Sequence, residues 1–245
     1  TYTPLGCQQY PRLYRQVMER NELSSDLSCP EIVRLVILND TGADWVDIEE
    51  SPAVKNKLDQ TIIREPKRPW VHFFPSVREL LLSIVGNCED HALAIYRLSE
   101  FCRLTVDIFN QNTQTVSPKD MLHLHNFVCE TNEHPRPNQR GISALIHKIS
   151  PLLFENKINP TFVELMKHQP DPTTWSSDLV KTETLYAHTH PTLQSRWIKN
   201  WLKAEIVKDW YVHHENLHDY ILKILLKLFV IRCCLTLFPV GSESE

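Results

Sequence analysis

Seven prolines of this chain, Pro11, Pro30, Pro52, Pro75, Pro118, Pro160 and Pro191, each stand just ahead of a segment whose apolar residues recur with helical spacing. Proline suits the first helical position, because the N–H it lacks would find no intrahelical partner there. Ser51, Ser117 and Asn159 precede three of these prolines and are good N-cap residues. Ser117-Pro118-Lys119-Asp120 has the spacing of a capping box, with Asp in place of Glu. Against 16 prolines the chain has only 5 glycines, which leaves little room for left-handed turns or tight hairpins. It also contains neither GxGxxG nor GxxxxGK, so it lacks the glycine-rich loops that cradle phosphates. These patterns predict a mainly α fold: a multi-helix globular bundle or short helical array around a buried C-terminal helix, with little or no β structure.

Helices are expected over 11–20, where Leu13, Tyr14, Val17 and Met18 share a face, and over 52–64, 75–85, 89–110 and 118–129. Gly86 is placed to cap the third of these. The segment 30–38 is apolar nearly all round and rich in branched residues, so it reads as helix or strand. Further helices are expected over 141–155, bent near Pro151, and over 160–168, 178–187 and 191–211. Period-two alternation is confined to 32–38 and 71–74. The predicted organisation is an N-terminal helical subdomain over 1–64, which can belong to the same body, a main helical domain over 70–238, and a disordered acidic tail over 239–245.

The closing stretch from Asp209 to Phe238 holds the longest apolar run. Its part from Tyr220 on is long enough to consider a membrane span. Lys223, Lys227 and Arg232 argue against one, since each charge costs about 2.5–3.5 kcal/mol at a bilayer centre. A core helix whose lysine stems reach out to solvent is expected instead. The same stretch begins with His214-Glu215-Asn216-Leu217-His218, an HExxH pattern that resembles the zinc-protease signature. The resemblance implies a zinc-dependent hydrolase, with His214 and His218 as ligands one helical turn apart and Glu215 as general base. A third ligand would come from upstream, from His190 or His188, because the position ten residues after His214 is Ile224. Zinc is therefore the alternative to a chain with no cofactor. The plainer reading is a polar helix entry whose imidazoles bind nothing.

Asp40-Thr41-Gly42-Ala43 follows an apolar run and resembles the catalytic signature of retropepsin-type aspartic proteases, with Ile84-Val85-Gly86 as a second apolar-glycine element. That resemblance covers about ten residues and implies a carboxylate pair sharing one proton across a dimer axis. The competing reading is a helix-ending turn in which Gly42 supplies a positive φ. Trp45–Glu49 and Trp201–Glu205 each read WxxxE, which is similar to the pattern of bacterial effectors that activate small GTPases; Trp packing beside a surface Glu explains it equally. Trp197, Trp201 and Trp210, with Ile198, Leu202, Ile206 and Tyr211, form an aromatic stripe at helical spacing. Such a stripe packs in a core, or, where exposed, binds a partner.

Seven cysteines, an odd number with no CxxC among them, indicate a reducing compartment, and the adjacent Cys233 and Cys234 read as small core residues. No cysteine stands in a recognisable nucleophile context, and no GxSxG occurs. His123 and His125, and His188 and His190, are spaced i,i+2 and diverge on a helix. A net charge of −4 gives no reason to expect nucleic acid. The function expected is therefore protein–protein interaction: a scaffold or regulatory module in the cytoplasm, with the nucleus as second choice, another protein as partner and no membrane span; the alternative is the zinc-dependent hydrolase built on residues 214–218.

Overall fold

The computed structural model describes residues 12–17, 20–46, 60–61, 73–111, 116–131, 191–208 and 216–235. Their elements, in chain order, are β1 (Arg12–Val17), β2 (Arg20–Ser25), α1 (Pro30–Leu38), β3 (Gln60–Thr61), α2 (Phe74–Asn87), α3 (His91–Gln111), α4 (Pro118–Glu130), α5 (Pro191–Lys208) and α6 (Leu217–Leu235). The fold is a helical multi-helix one, as the proline pattern predicts. Of the helix expected over 52–64 only Gln60 and Thr61 are described, and they form strand β3 rather than helix; the helices expected over 141–155, 160–168 and 178–187, and the acidic tail, lie outside the described residues. The chain divides into two compact units, Thr1–His134 with Ser195–Ile224, and Pro135–Gln194 with Leu225–Glu245.

Prolines stand at the start of α1, α2, α4 and α5. At α4 the capping box forms in full: the Ser117 side chain accepts from the Asp120 backbone, and the Asp120 carboxylate accepts from the Ser117 backbone at 2.7 Å. Hydrogen bonds from Ser117 hold the Asp120 carboxyl below its ordinary pKa. The start of α3 uses a different device, since Asp90 Oδ1 accepts from the amides of Ala92 at 2.8 Å and Leu93 at 3.2 Å. The ambiguous segment 30–38 is the helix α1.

The expected helix over 11–20 is instead a strand, β1, paired antiparallel with β2 so that Val17 faces Arg20. A two-residue β3 adds to it in parallel, giving the order β2-β1-β3. The inner face of this hairpin carries charge where a strand usually carries apolar residues. Arg15 and Glu22 are direct cross-strand partners. Glu22 takes a two-pronged ion pair from Arg78 of α2, with side-chain exposures of 9% and 8%. Arg15 is buried and donates to the carbonyls of Val207 and Lys208, the last residues of α5. A cation there satisfies carbonyls that have no helical partner and complements the helix dipole.

Helices α2, α3 and α4 pack on one another. Their buried positions follow the helical period: Val77, Leu81, Ile84 and Val85 on α2, Ala94, Leu98, Phe101, Cys102 and Thr105 on α3, and Met121, Leu124, His125 and Val128 on α4. Each fully buried Leu, Ile or Phe contributes about 1.5–3 kcal/mol relative to exposure. Helix α5 is covered on two sides. Ile198, Trp201, Leu202 and Ile206 form its buried apolar face, and Asn200 is buried on the other. Helix α6 buries Leu217, Tyr220, Ile221, Ile224 and, further along, Leu228, and leaves Leu222 and Leu226 exposed. The Tyr220 hydroxyl, itself buried, donates to Ile206 O at 3.2 Å and joins α6 to α5. Among the described residues no helix is long and apolar enough to cross a membrane.

Candidate functional site

The zinc candidates come out as follows. Helix α6 starts at Leu217, and Asn216 caps it by accepting from the Asp219 amide at 2.8 Å. His218 therefore sits in the first turn of α6 and is half-buried. His214, Glu215, His188 and His190 lie outside the described residues. Among the described residues no group of three His, Cys, Asp or Glu side chains could hold a metal ion.

Asp40 of the DTGA segment is exposed and pairs with Arg196 Nε at 2.6 Å. The segment forms successive turns, with Gly42 N donating to Asn39 O at 3.2 Å and Asp44 N donating to Thr41 O at 3.1 Å. Gly42 does not have the left-handed φ expected of it. Glycine is required there for a different reason: an added Cβ would meet Leu35 O at 2.5 Å and Val36 O at 2.7 Å. Asp40 thus belongs to a turn folded back on α1 and tied to α5.

Of the tryptophan stripe, Trp201 is buried at 6% exposure, Trp197 is half-buried and Trp210 lies outside the described residues. The Trp201 indole is core, not a surface offered to a partner. Its WxxxE companion Glu205 is buried as well, with Lys208 Nζ at 3.7 Å. The other WxxxE tryptophan, Trp45, is half out in solvent and lies over the Arg78 guanidinium at 5.2 Å.

Helix α1 is the described element whose environment departs furthest from its composition. Ile32, Val33, Leu35, Val36, Ile37 and Leu38 make it largely apolar, yet none of its residues is buried. Leu35 and Leu38, one turn apart, are 40% and 49% exposed. What holds the helix is polar. Asn200 Nδ2 donates to Val36 O at 2.8 Å and Asn39 O at 2.7 Å. Arg196 Nη1 donates to Leu38 O at 3.5 Å, and Lys203 pairs with Asp44 at 2.5 Å just beyond. The same face of α5 reaches the end of α2, where Lys199 Nζ donates to Gly86 O at 2.5 Å. Gly86 lies inside α2, which runs on to Asn87 rather than ending at that glycine. So α5 grips the backbone at the C-terminal end of α1, while Ile32, Val33, Val36 and Ile37 stay half-buried and Leu35 and Leu38 stay exposed.

No family model, no curated protein and no solved structure matches this chain.

A second cluster surrounds the C-terminal end of α4. Cys129 Sγ lies 3.6 Å from His125 Nε2, and His125 Nδ1 lies 3.3 Å from Asn126 Oδ1. The imidazole is buried and edge-on to the Phe101 ring at 6.3 Å. Arg97 of α3 donates to Thr131 O, from Nη2 at 2.9 Å, and its Nη1 is 3.9 Å from Cys88 Sγ. Burial pushes the Cys129 thiol up in pKa; Arg97 opposes that shift and Cys88 adds to it. Cys102, fully buried, is pushed up further by burial alone and is an inert core thiol. The motifs singled out in the sequence do not include the Cys129 cluster. Its signal is nonetheless there, as a histidine and a cysteine at i,i+4 on one helix, a spacing that brings two side chains into contact.

Proposed function

We propose that this chain is a protein-interaction module, a scaffold or regulatory helical domain, that presents α1 to another protein. One observation carries the proposal: an apolar helix buries none of its residues and is held by hydrogen bonds to its backbone. A helix serving stability would turn its apolar stripe into the core. This one keeps Leu35 and Leu38 exposed at the spacing of anchors that enter a partner's apolar groove, with the Glu31–Arg34 ion pair, 2.7 Å long, along its side. The reading needs neither a cofactor nor catalysis. A reducing compartment, the cytoplasm or nucleus, goes with it, in keeping with free thiols at Cys29, Cys88, Cys102 and Cys129.

The test is differential capture from cell extract. Wild type, a Leu35→Asp/Leu38→Asp variant and a Leu122→Asp variant, altered at an exposed leucine of α4, are compared. A protein held by wild type and Leu122→Asp, and released by the α1 variant whose circular dichroism is unchanged, supports the reading. Retention of every captured protein by the α1 variant refutes it.

A further inference from the structure

We infer that Cys129 is a nucleophilic thiol that adds to small α,β-unsaturated carbonyl compounds, with His125 as its base and Asn126 as the group that positions the imidazole. The inference is independent of the α1 reading, because none of its residues belongs to α1 or α5.

The geometry is that of an activated nucleophile on one helical turn. His125 and Cys129 are i,i+4 on α4, and 3.6 Å separates Nε2 from Sγ. Asn126 Oδ1 accepts a hydrogen bond from Nδ1 when the proton resides there, and this tautomer leaves the Nε2 lone pair facing the thiol. Burial among α4 and α3 side chains, with Phe101 against its ring, keeps the imidazole from turning away. A nucleophile, a base in contact with it and a third group orienting the base are the parts that nucleophilic catalysis combines.

The charge environment explains why the base matters. The thiol is pushed up by burial, so at neutral pH it keeps its proton and is a poor nucleophile unaided. The charged and titratable groups that act on it are His125 on its own helix, Arg97 from α3 and Cys88 from the α2–α3 link. Arg97 is fixed in place by Thr131 O and favours the thiolate as charge develops on sulfur. In the step itself, the Cys129 proton passes to His125 Nε2 and the sulfur lone pair forms a bond to the β-carbon. The C=C π pair moves to the α-carbon and carbonyl as an enolate. Protonation of the α-carbon, by the imidazolium directly or through water, returns the base. No oxidant and no leaving group are involved. Cys129 is half-buried, in contrast to the buried Cys88 and Cys102.

The experiment uses N-ethylmaleimide on the intact folded chain, with adduct formation at each cysteine followed by mass spectrometry over time and pH. Cys29, also half-buried, is the internal reference. The expected result is a loss of about a hundredfold or more in the Cys129 rate in His125→Ala, the lower range of what a positioned base contributes, with Cys29 unchanged. The wild-type rate should also level off at a lower pH than that of the variant, whose thiol must ionise alone. Asn126 is exposed, so Asn126→Ala keeps the fold if His125→Ala does not. It should slow Cys129 and move its pH profile toward that of an unassisted thiol. A Cys129 that stays unmodified while Cys29 is fully labelled overturns the inference. So does a Cys129 rate, relative to Cys29, that neither substitution alters.

Discussion

The ion pair between Glu22 and Arg78 offers the sharpest test of how the hairpin is held. Both side chains are less than a tenth exposed, and two guanidinium nitrogens meet two carboxylate oxygens, one of these bonds measuring 2.8 Å. Pairs in solvent contribute about 0–1 kcal/mol because water and salt screen them. A pair this buried behaves differently: removing one partner strands the other charge away from water, at a cost of about 3–5 kcal/mol. Arg78→Met keeps an unbranched stem beneath Trp45, so its effect reports mainly the stranded Glu22 carboxylate, plus about 0.5–1 kcal/mol of lost cation–π contact. Glu22→Met strands the guanidinium in turn. The double variant strands neither, and buried pairs replaced by apolar residues of similar size are often neutral in stability. Urea unfolding of the four proteins, read from midpoints at constant slope, gives the cycle. With the double variant close to wild type, the coupling is the sum of the two single costs, about 6 kcal/mol or more. Single substitutions that each cost under about 1 kcal/mol, or costs that simply add, would show the pair to be solvated and the argument wrong.

Gly42→Ala should lower the unfolding midpoint by an overpacking cost of about 1–3 kcal/mol, because its new methyl would press on the backbone of Leu35 and Val36. A rise in midpoint, as at glycines with room for a side chain, would contradict this. For Asp26, partial burial raises the carboxyl pKa, but hydrogen bonds from Ser28 and Lys208 outweigh it and the net shift is downward. A carboxyl lowered on folding adds stability above its unfolded pKa, near about 4, and that stability fades as pH falls through the folded value. Asp26→Asn should therefore destabilise at pH 7 and converge on wild type in acid. A gap that stays constant as pH drops below about 3 would rule the carboxylate charge out as its source.

The helices are readable where a local device announces them. Pro118 with its capping box, Pro30 and Pro191 each open a helix as their chemistry requires. The hairpin is not readable, and the reason is physical. Its inward positions hold Arg15 and Glu22, whose partners sit on α5 and α2, so the alternation that marks a half-buried strand is absent. Leu13, Tyr14, Val17 and Met18 then mimic a helical face. Gly42 is recognisable as a turn residue, but dihedral freedom is the wrong reason for it; its need is for space against α1. The exposure of α1 is hidden too: nothing in an apolar nine-residue run tells that its anchor is a distant asparagine. The Cys129 cluster yields to a screen of each helix for nucleophile and base at i,i+4.

The grip of α5 on the opening segments spans great distances along the chain. Asn200 reaches back 164 residues to Val36, and Arg15 waits for carbonyls 192 and 193 positions ahead of it. During synthesis, then, the hairpin and α1 emerge long before the residues that fasten them. Contacts of such separation close late and slowly. Until then Arg15, buried in the finished fold, lacks the carbonyls that receive it, so the nascent hairpin is where chaperone attendance, or misassociation in its absence, should concentrate.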